Sequence, residues 1–326
     1  MVTIKEVAKK ADVSVATVSR VLNNRGYLSE SIKKKVNKAV KELHYTPNSA
    51  ARSLTGKKLK LIGLVVPMIN NPFYSELIQN IESLLVRSNY KVIICNSYNN
   101  AKKEINYLKL LTNNNVDGII TSSVNFSSDI KEAYRNLDIP IVSFDRQFDS
   151  KIPVVTSDNY NGGQLIGTLL KTTTSQKILF INTGKESQFD EQRLNGLRDL
   201  CESANVIPVS LPFIDTNIKI KEMNIKDCII KYKPDSIVCS DDMTALIAMR
   251  ICRQYDKRVP NDIQIVGYDG SKMIQNVWPE LTTVIQPIKE IAHLLVDLLA
   301  KQINGQKLNK TEFILPTDIH IGTTTK

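Results

Sequence analysis

The spacing of hydrophobic positions changes near residue 60 of this 326-residue chain. Before that point, apolar residues recur every three or four positions, which predicts short amphipathic helices. After it, nearly continuous apolar runs such as residues 61–67 alternate with amphipathic segments such as residues 72–88. This alternation is typical of parallel sheets that are covered by helices on both faces. The pattern therefore predicts an all-α N-terminal unit followed by a larger α/β body.

The N-terminal unit contains three predicted helices. Thr3 and Glu6 have the spacing of a capping box at the start of the first helix. A turn at residues 12–14 precedes a second helix over residues 15–22, and a third helix ends near residue 43. Three short helices with a tight turn between the first two form a helix-turn-helix domain, although a generic three-helix bundle has a similar pattern.

The excess positive charge lies entirely in this first unit. Residues 1–60 contain 14 Lys/Arg and 4 Asp/Glu, a balance of +10, whereas residues 61–326 contain 29 of each. A small basic block on a neutral body indicates a module that binds a polyanion, with a solvated basic tail as the simpler alternative. Combined with the helix pattern, the charge favours DNA as the partner.

In a helix-turn-helix domain the second helix enters the major groove, and its N-terminal residues face the base edges. One turn further along, an arginine at position 20 can donate two hydrogen bonds to a guanine. The candidate base contacts are Val15, Ala16, Thr17 and Arg20. The candidate phosphate contacts, which position the protein without specifying sequence, are Ser14, Ser19 and Asn23.

Polar and aromatic side chains follow the predicted strands of the body. Ligands of parallel sheets bind outside the carboxyl ends of the strands, so these side chains are expected to line one cleft. Sugars suit such a cleft, because their hydroxyls pair with carboxylates, amides and guanidinium groups. Each residue alone could be a helix cap or a core ion pair, and Asp242 in particular suits a helix cap. The candidate cleft residues are Asn71, Phe73, Tyr74, Asp145, Arg146, Arg193, Asp241, Asp269 and Gln286.

Motifs for catalysis or metal binding are incomplete in this sequence. Residues 183–187 follow a strand as a phosphate-binding loop would, but Leu179 and Glu186 occupy positions that need Gly and Ser/Thr. No GxGxxG or GxSxG motif occurs. The five scattered cysteines predict reduced thiols, and the three distant histidines argue against a zinc site. We therefore expect no catalytic residues, no metal and no cofactor.

Two N-terminal stretches carry a family resemblance. Residues 3–8 (TIKEVA) with residues 13–23 (VSVATVSRVLN) resemble the start of a LacI/GalR-family transcription regulator. Residues 45–54 (YTPNSAARSL) are similar to the hinge of that family. The resemblance extends over residues 2–322 and is strongest to sucrose- and ribose-operon repressors. It implies that the body is a two-lobed module like the periplasmic sugar-binding proteins.

The resemblance also implies roles for further residues. The hinge would form a short helix on operator DNA over residues 47–55, with Ala51 and Leu54 facing the minor groove and Leu54 as a wedge between base pairs. Thr3 and Asn48 join the DNA-binding candidates. The nine cleft candidates fall on effector-contacting positions, and Phe213 would add a stacking ring from the second lobe.

Domain limits follow from the same resemblance. It implies a helix-turn-helix domain with its hinge over residues 1–58 and an effector-binding and dimerisation domain over residues 60–326. Lobe 1 would comprise about 60–158 and 288–316, and lobe 2 about 159–286 and 317–326.

The predicted function is a sugar-responsive repressor of a carbohydrate-utilisation operon. It would bind a pseudo-palindromic operator as a homodimer and be released by a small sugar or sugar phosphate. No apolar run approaches the roughly 20 residues of a membrane helix and the N-terminus lacks a signal-peptide core, so we expect a cytoplasmic protein without a membrane partner. A C-terminus without a heptad tail favours a dimer over a coiled-coil tetramer.

Several alternative functions stay open on the sequence alone. One is a catabolite-type regulator whose DNA binding is enhanced by a co-repressor, including a phosphoprotein. A hydrolase and an exported sugar-binding protein are the others. The exported protein would need an export signal and would not need the basic block.

Overall fold

A computed structural model describes residues 2–22, 26–45, 58–173, 175–183, 188–211 and 218–326. The chain forms two compact units, Met1–Leu59 and Lys60–Lys326. Among the described residues, the first unit is entirely helical and the second is a two-sheet α/β body, which confirms the predicted fold class.

The N-terminal unit consists of α1 (Ile4–Ala11), α2 (Val15–Leu22) and α3 (Glu30–Glu42). The predicted capping box is confirmed, because the Glu6 amide donates to Thr3 Oγ1 and the Thr3 amide donates to Glu6 Oε2. Asp12 ends α1 in the left-handed region with φ of 53°. One valine from each helix is fully buried in the shared core, namely Val7, Val18 and Val36.

The first sheet of the body has the strand order β11-β5-β4-β3-β1-β2, and all its neighbouring strands are parallel. Its strands are β1 (Leu61–Val66), β2 (Lys91–Asn96), β3 (Gly118–Thr121), β4 (Ile141–Phe144), β5 (Val154–Ser157) and β11 (Glu312–Leu315). The helices of this lobe are α4 (Pro72–Arg87), α5 (Ala101–Asn113), α6 (Ser128–Arg135) and α12 (Ile288–Ile303). We call this sheet with its helices lobe 1.

The second sheet has the order β12-β10-β9-β8-β6-β7, and only its edge strand β12 pairs antiparallel. Its strands are β6 (Lys177–Thr183), β7 (Asn205–Leu211), β8 (Ser236–Cys239), β9 (Gln264–Asp269), β10 (Thr282–Ile285) and β12 (Asp318–His320). The helices are α7 (Asn159–Thr172), α8 (Gln188–Leu200), α9 (Ile218–Tyr232), α10 (Asp242–Gln254) and α11 (Lys272–Val277). We call this sheet with its helices lobe 2.

The chain crosses between the lobes three times, after β5, after β10 and after β11. Helix α12 returns to lobe 1, where Ile291 and Leu295 are fully buried in the same core as α4 and β1. Each lobe thus contains strands from distant parts of the chain. This arrangement brings the carboxyl ends of two parallel sheets to a common cleft.

Candidate functional site

Nine of the ten predicted cleft residues line a single cavity of about 1070 Å³, to which both lobes contribute. They are Asn71, Phe73, Tyr74, Asp145, Arg146, Arg193, Asp241, Asp269 and Gln286. The tenth, Phe213, lies outside the described residues. The cavity is larger than these nine side chains enclose, because α10 contributes further lining residues such as Met243, Leu246 and Arg250.

Helix α4 positions the aromatic wall of lobe 1. Asn71 caps the helix, and its Oδ1 accepts a hydrogen bond of 2.9 Å from the Phe73 amide. The Phe73 and Tyr74 rings meet edge to face with centroids 5.2 Å apart. Burial raises the pKa of the Tyr74 phenol, so the group stays protonated and can donate as well as accept hydrogen bonds.

Two cleft carboxylates occupy unusual backbone conformations at strand ends. Asp145 has φ of 61° directly after β4, and Asp269 has φ of 121° as the last residue of β9. Such conformations cost free energy in residues other than glycine, and they persist where the surrounding structure enforces them. Thr156 Oγ1 donates to Asp145 Oδ1 over 2.9 Å. Burial raises the pKa of Asp145 to about 6, against the opposing effect of Arg193.

The guanidinium of Arg193 is held in place by lobe 2. Its Nε donates to Asn159 Oδ1 over 2.8 Å, its Nη1 donates to the Ser240 carbonyl over 3.0 Å, and it lies 3.5 Å from the Tyr268 ring centroid. Arg193 lies in the second turn of helix α8, which begins at Gln188.

Close packing of α7 against α8 fixes the position of the Arg193 backbone. A Cβ atom on Gly163 of α7 would lie only 2.1 Å from the backbone oxygen of Arg193. A Cβ atom on Gly196 of α8 would lie equally close to the backbone oxygen of Tyr160. The two glycines therefore let α7 and α8 approach each other more closely than any other residue would allow.

Arg146 presents an unused donor to the cleft. It is buried at 3% exposure, and its Nε has no hydrogen-bond partner among the described residues. Its guanidinium carbon lies 4.5 Å from the centroid of the Phe189 ring, which belongs to lobe 2. A buried guanidinium N–H without a partner is costly, so a ligand oxygen that accepts from it would be bound favourably.

The adjacent residues Asp241 and Asp242 have different roles. Asp241 is the N-cap of α10, and its Oδ1 accepts from the Thr244 amide over 2.8 Å. The capping role considered for Asp242 therefore belongs to Asp241, which also lines the cavity. Asp242 is buried and accepts hydrogen bonds from the Gly270 amide (2.9 Å) and from Thr283 Oγ1 (2.5 Å). Asp242 therefore supports the turn that follows Asp269.

A chain of hydrogen bonds connects Asp269 to two of the crossovers between the lobes. Ser157 Oγ, at the end of β5, donates to Gln286 Oε1 over 2.7 Å, and Gln286 Nε2 donates to Asp269 Oδ1 over 2.7 Å. Burial, together with the nearby Asp242 carboxylate, raises the pKa of Asp269. Asp269 therefore lines the cleft and is also hydrogen-bonded, through Gln286, to the crossover segments.

Among the lining residues that sequence reasoning missed, Phe189 and Asp190 lie closest to the predicted arginines. The Phe189 ring is 5.4 Å from the guanidinium of Arg193 as well as near Arg146, and Asp190 Oδ1 lies 3.7 Å from Arg193 Nη1. The available signal was their place about one helical turn before Arg193, at the same sheet edge.

The predicted DNA-contacting side chains of α2 lie on its accessible face. Val15, Ala16 and Arg20 are exposed, whereas Thr17 and Ser19 are half-buried. Ser14 Oγ accepts from the Thr17 amide over 3.1 Å and so caps the helix. Thr3 is exposed in its capping box. The remaining DNA-binding candidates, Asn23, Asn48, Ala51 and Leu54, lie outside the described residues.

Neither a membrane-spanning helix nor a metal-binding cluster occurs among the described residues. No helix in that part of the chain is both long and apolar enough to span a bilayer. Within the same residues, no group of three or more His, Cys, Asp or Glu side chains is arranged to hold a metal ion.

Comparison with known proteins places the chain in a family. Residues 3–48 match the bacterial regulatory proteins of the lacI family, and residues 170–325 match a periplasmic binding protein-like domain. The chain is 45% identical over 321 residues to the sucrose operon repressor of Streptococcus mutans, covering 98% of each protein. It is 38% identical over 333 residues to the ribose operon repressor of Halalkalibacterium halodurans, covering 100% of this chain and 98% of that protein. The chain therefore belongs to the LacI family of transcriptional regulators, as the resemblance predicts.

Solved structures share the same fold. The periplasmic binding protein/LacI transcriptional regulator from Alkaliphilus metalliredigens, complexed with D-xylulofuranose, is 30% identical with a TM-score of 0.73, covering 82% of this chain and 99% of that one. The lac repressor dimer bound to operator and the anti-inducer ONPF is 25% identical with a TM-score of 0.83, covering 99% of each chain.

Proposed function

We propose that this chain is a sugar-responsive transcriptional repressor of a carbohydrate-utilisation operon, released from its operator by a small sugar. The observation that carries the proposal is the convergence of nine polar and aromatic side chains from both lobes on one cavity, in a chain that begins with a basic helix-turn-helix unit. Membership of the LacI family and the operon repressors among its relatives support it.

The cleft offers the groups that a sugar needs. Asp145 and Asp269 accept hydrogen bonds from ring hydroxyls, Arg146 donates to sugar oxygens, and the rings of Phe73 and Tyr74 supply apolar contact. We assign effector contacts to all ten predicted residues, including Phe213. A sugar that contacts both walls stabilises the arrangement in which the lobes approach each other, because it gains contacts only there.

On the DNA side, we assign base contacts to the N-terminal residues of α2 and to Arg20. A homodimer places two such helices on two half-sites, so the operator is expected to be a pseudo-palindrome. Sugar binding at one site and operator binding at the other are coupled by a free energy of about 1–3 kcal/mol, typical of allosteric proteins. We further assign the minor-groove wedge to Leu54 and a flanking contact to Asn48 and Ala51.

The proposal gives the chain no catalytic step, metal or cofactor, and it places the protein in the bacterial cytoplasm because its partner there is operator DNA. The relatives named above are regulators rather than enzymes, which supports this assignment. The alternative is a catabolite-type regulator whose DNA binding is enhanced by a co-repressor. One relative, the catabolite control protein A of Staphylococcus xylosus, is 31% identical over 327 residues.

The sign of the sugar effect on operator binding decides between these functions. Protein purified without added sugar is screened by thermal shift against sugars and sugar phosphates, and each compound that stabilises it is added to an operator-binding titration. The proposal predicts weaker operator binding with at least one sugar. Stronger binding would establish the catabolite-type alternative, and stabilisation without any effect on DNA binding would refute the regulatory coupling.

A further inference from the structure

A hydrogen bond joins the two lobes beside the cleft, between residues 196 positions apart in the chain. Glu76 lies on α4 of lobe 1, and its Oε2 accepts a hydrogen bond of 2.7 Å from the backbone amide of Lys272, the first residue of α11 in lobe 2. Hydrogen bonds to a charged acceptor are shorter and stronger than neutral ones. The bond therefore contributes to the approach of the two lobes.

The N-cap residue of α11 does not accept a hydrogen bond from the helix amides through its side chain. Ser271 precedes α11, yet it makes no capping hydrogen bond with the helix. Its Oγ is buried and has no partner among the described residues. The first amides of a helix need acceptors from outside the helix. Glu76 supplies one of these acceptors from the opposite lobe.

Both ends of this bond lie on segments that carry cleft side chains. Glu76 is two residues beyond Tyr74 on α4, and Lys272 is three residues beyond Asp269. Between Asp269 and Lys272, the Gly270 amide is fixed by Asp242 over 2.9 Å. The bond thus connects the segment of lobe 1 that carries Tyr74 to the segment of lobe 2 that carries Asp269.

We propose that Glu76 is a positioning residue that acts as a latch between the lobes. Its bond to Lys272 favours the arrangement in which Tyr74 and Asp269 face each other across the cleft, and this raises the affinity for the effector. The inference rests on the proposed sugar-responsive function. Glu76 need not touch the sugar, since it acts through the segments that carry Tyr74 and Asp269. A contact present in only one arrangement shifts the equilibrium toward it and lowers the apparent dissociation constant of a ligand that needs it.

The test compares three variants of the full chain. Glu76→Ala removes the acceptor, Glu76→Gln keeps a neutral acceptor, and Glu82→Ala is the matched control on an exposed position of the same helix. Calorimetry with D-ribose, D-fructose and sucrose is combined with hydrogen exchange of the amides in α11. Thermal unfolding of each variant checks that the fold is retained.

The latch predicts about 3- to 10-fold weaker affinity of Glu76→Ala for the sugar that binds the unsubstituted protein, and a smaller loss for Glu76→Gln. Exchange of the Lys272 amide is expected to be faster in Glu76→Ala than in Glu82→Ala. Equal sugar affinity and equal amide exchange in the two alanine variants would overturn the proposal. If none of the sugars and sugar phosphates of the thermal-shift screen binds the unsubstituted protein, the proposed function fails. The amide exchange still decides whether the bond joins the lobes.

Discussion

The DNA-binding unit and the effector cleft present their proposed functional side chains in opposite ways. On α2, Val15, Ala16 and Arg20 are exposed on a helix whose other face completes a small core. In the body, Arg146, Arg193 and Gln286 are each less than 5% exposed. Val15, Ala16 and Arg20 thus lie on an open surface, whereas Arg146, Arg193 and Gln286 are buried inside the fold.

This difference follows from the proposed partners. A polyanion is a large partner that brings its own ordered phosphates, so an open basic surface can bind it, with a strong dependence on salt. A small sugar offers few atoms, and its affinity depends on groups that are already oriented when it arrives. Single substitutions should therefore have larger effects in the cleft than on α2, where several contacts share the free energy of binding.

The largest expected effect is that of Asp269→Ala on sugar binding. The carboxyl group is 8% exposed and is oriented by Gln286, so its loss removes hydrogen-bond acceptors from the cleft and leaves the buried Gln286 amide without its partner. We expect sugar affinity to fall by about 100-fold, because the loss of two hydrogen bonds together with an unpaired buried amide costs about 3 kcal/mol. Calorimetry measures the loss.

Operator binding separates this effect from a general loss of fold. Asp269→Ala should bind operator normally without sugar and should fail to be released by it. Asp297→Ala, which removes an exposed carboxylate from α12, is the control and should respond to sugar normally. Near-normal sugar affinity of Asp269→Ala would mean that Asp269 only supports its turn.

The next effect is that of Arg20→Ala on operator binding. A bidentate contact to guanine contributes about 1–3 kcal/mol of discrimination, so specific affinity should fall by about 5- to 150-fold and preference should relax at one base pair in each half-site. Competition binding against single-base operator variants measures both quantities. An equal loss for every sequence would identify Arg20 as a phosphate contact, and unchanged binding would mean that Arg20 does not contact the operator.

The smallest expected effect is a pH dependence confined to the cleft. Burial raises the pKa of Asp145 to about 6. In the proposed site, sugar hydroxyls donate to its ionised carboxylate. Protonation as pH falls through about 6 removes this acceptor, so sugar affinity should be about tenfold weaker at pH 5 than at pH 7.5. Calorimetry at pH 5, 6 and 7.5 tests this dependence. Asp145→Asn should bind sugar less tightly at pH 7.5 with a flatter profile, and an equally steep profile would assign the titration to another group.

Much of the fold and of the site was predictable because both depend on local patterns. The change from helical spacing to continuous apolar runs near residue 60 predicts the fold class, and the strand-end rule predicts residues that the structure brings to one cavity. Less regular elements escape such patterns. Strand β7 lies at a sheet edge and has many exposed positions, and α9 mixes isoleucine and lysine without a clear apolar face. Neither element therefore matches the pattern of continuous apolar runs and amphipathic segments.

Three further features could not be predicted, because they depend on tertiary contacts or on which of two adjacent residues occupies a position. Two adjacent aspartates at 241 and 242 give the same local signal, and only the path of the chain shows which one caps α10. Phe189 precedes Arg193 on α8, but its position over two guanidinium groups depends on how the lobes approach. The Glu76 bond joins residues that no sequence spacing relates. The hinge over residues 47–55 stays a prediction.

The most direct test of the account is a single titration of operator binding against the sugar that stabilises the protein, performed in parallel on the unsubstituted chain, Arg20→Ala and Asp269→Ala. The account predicts that sugar releases the unsubstituted protein and that Arg20→Ala binds operator weakly but retains normal sugar affinity. Asp269→Ala is predicted to stay bound at every sugar concentration. Release of Asp269→Ala at the same sugar concentration as the unsubstituted protein would contradict the assignment of the cleft as the effector site.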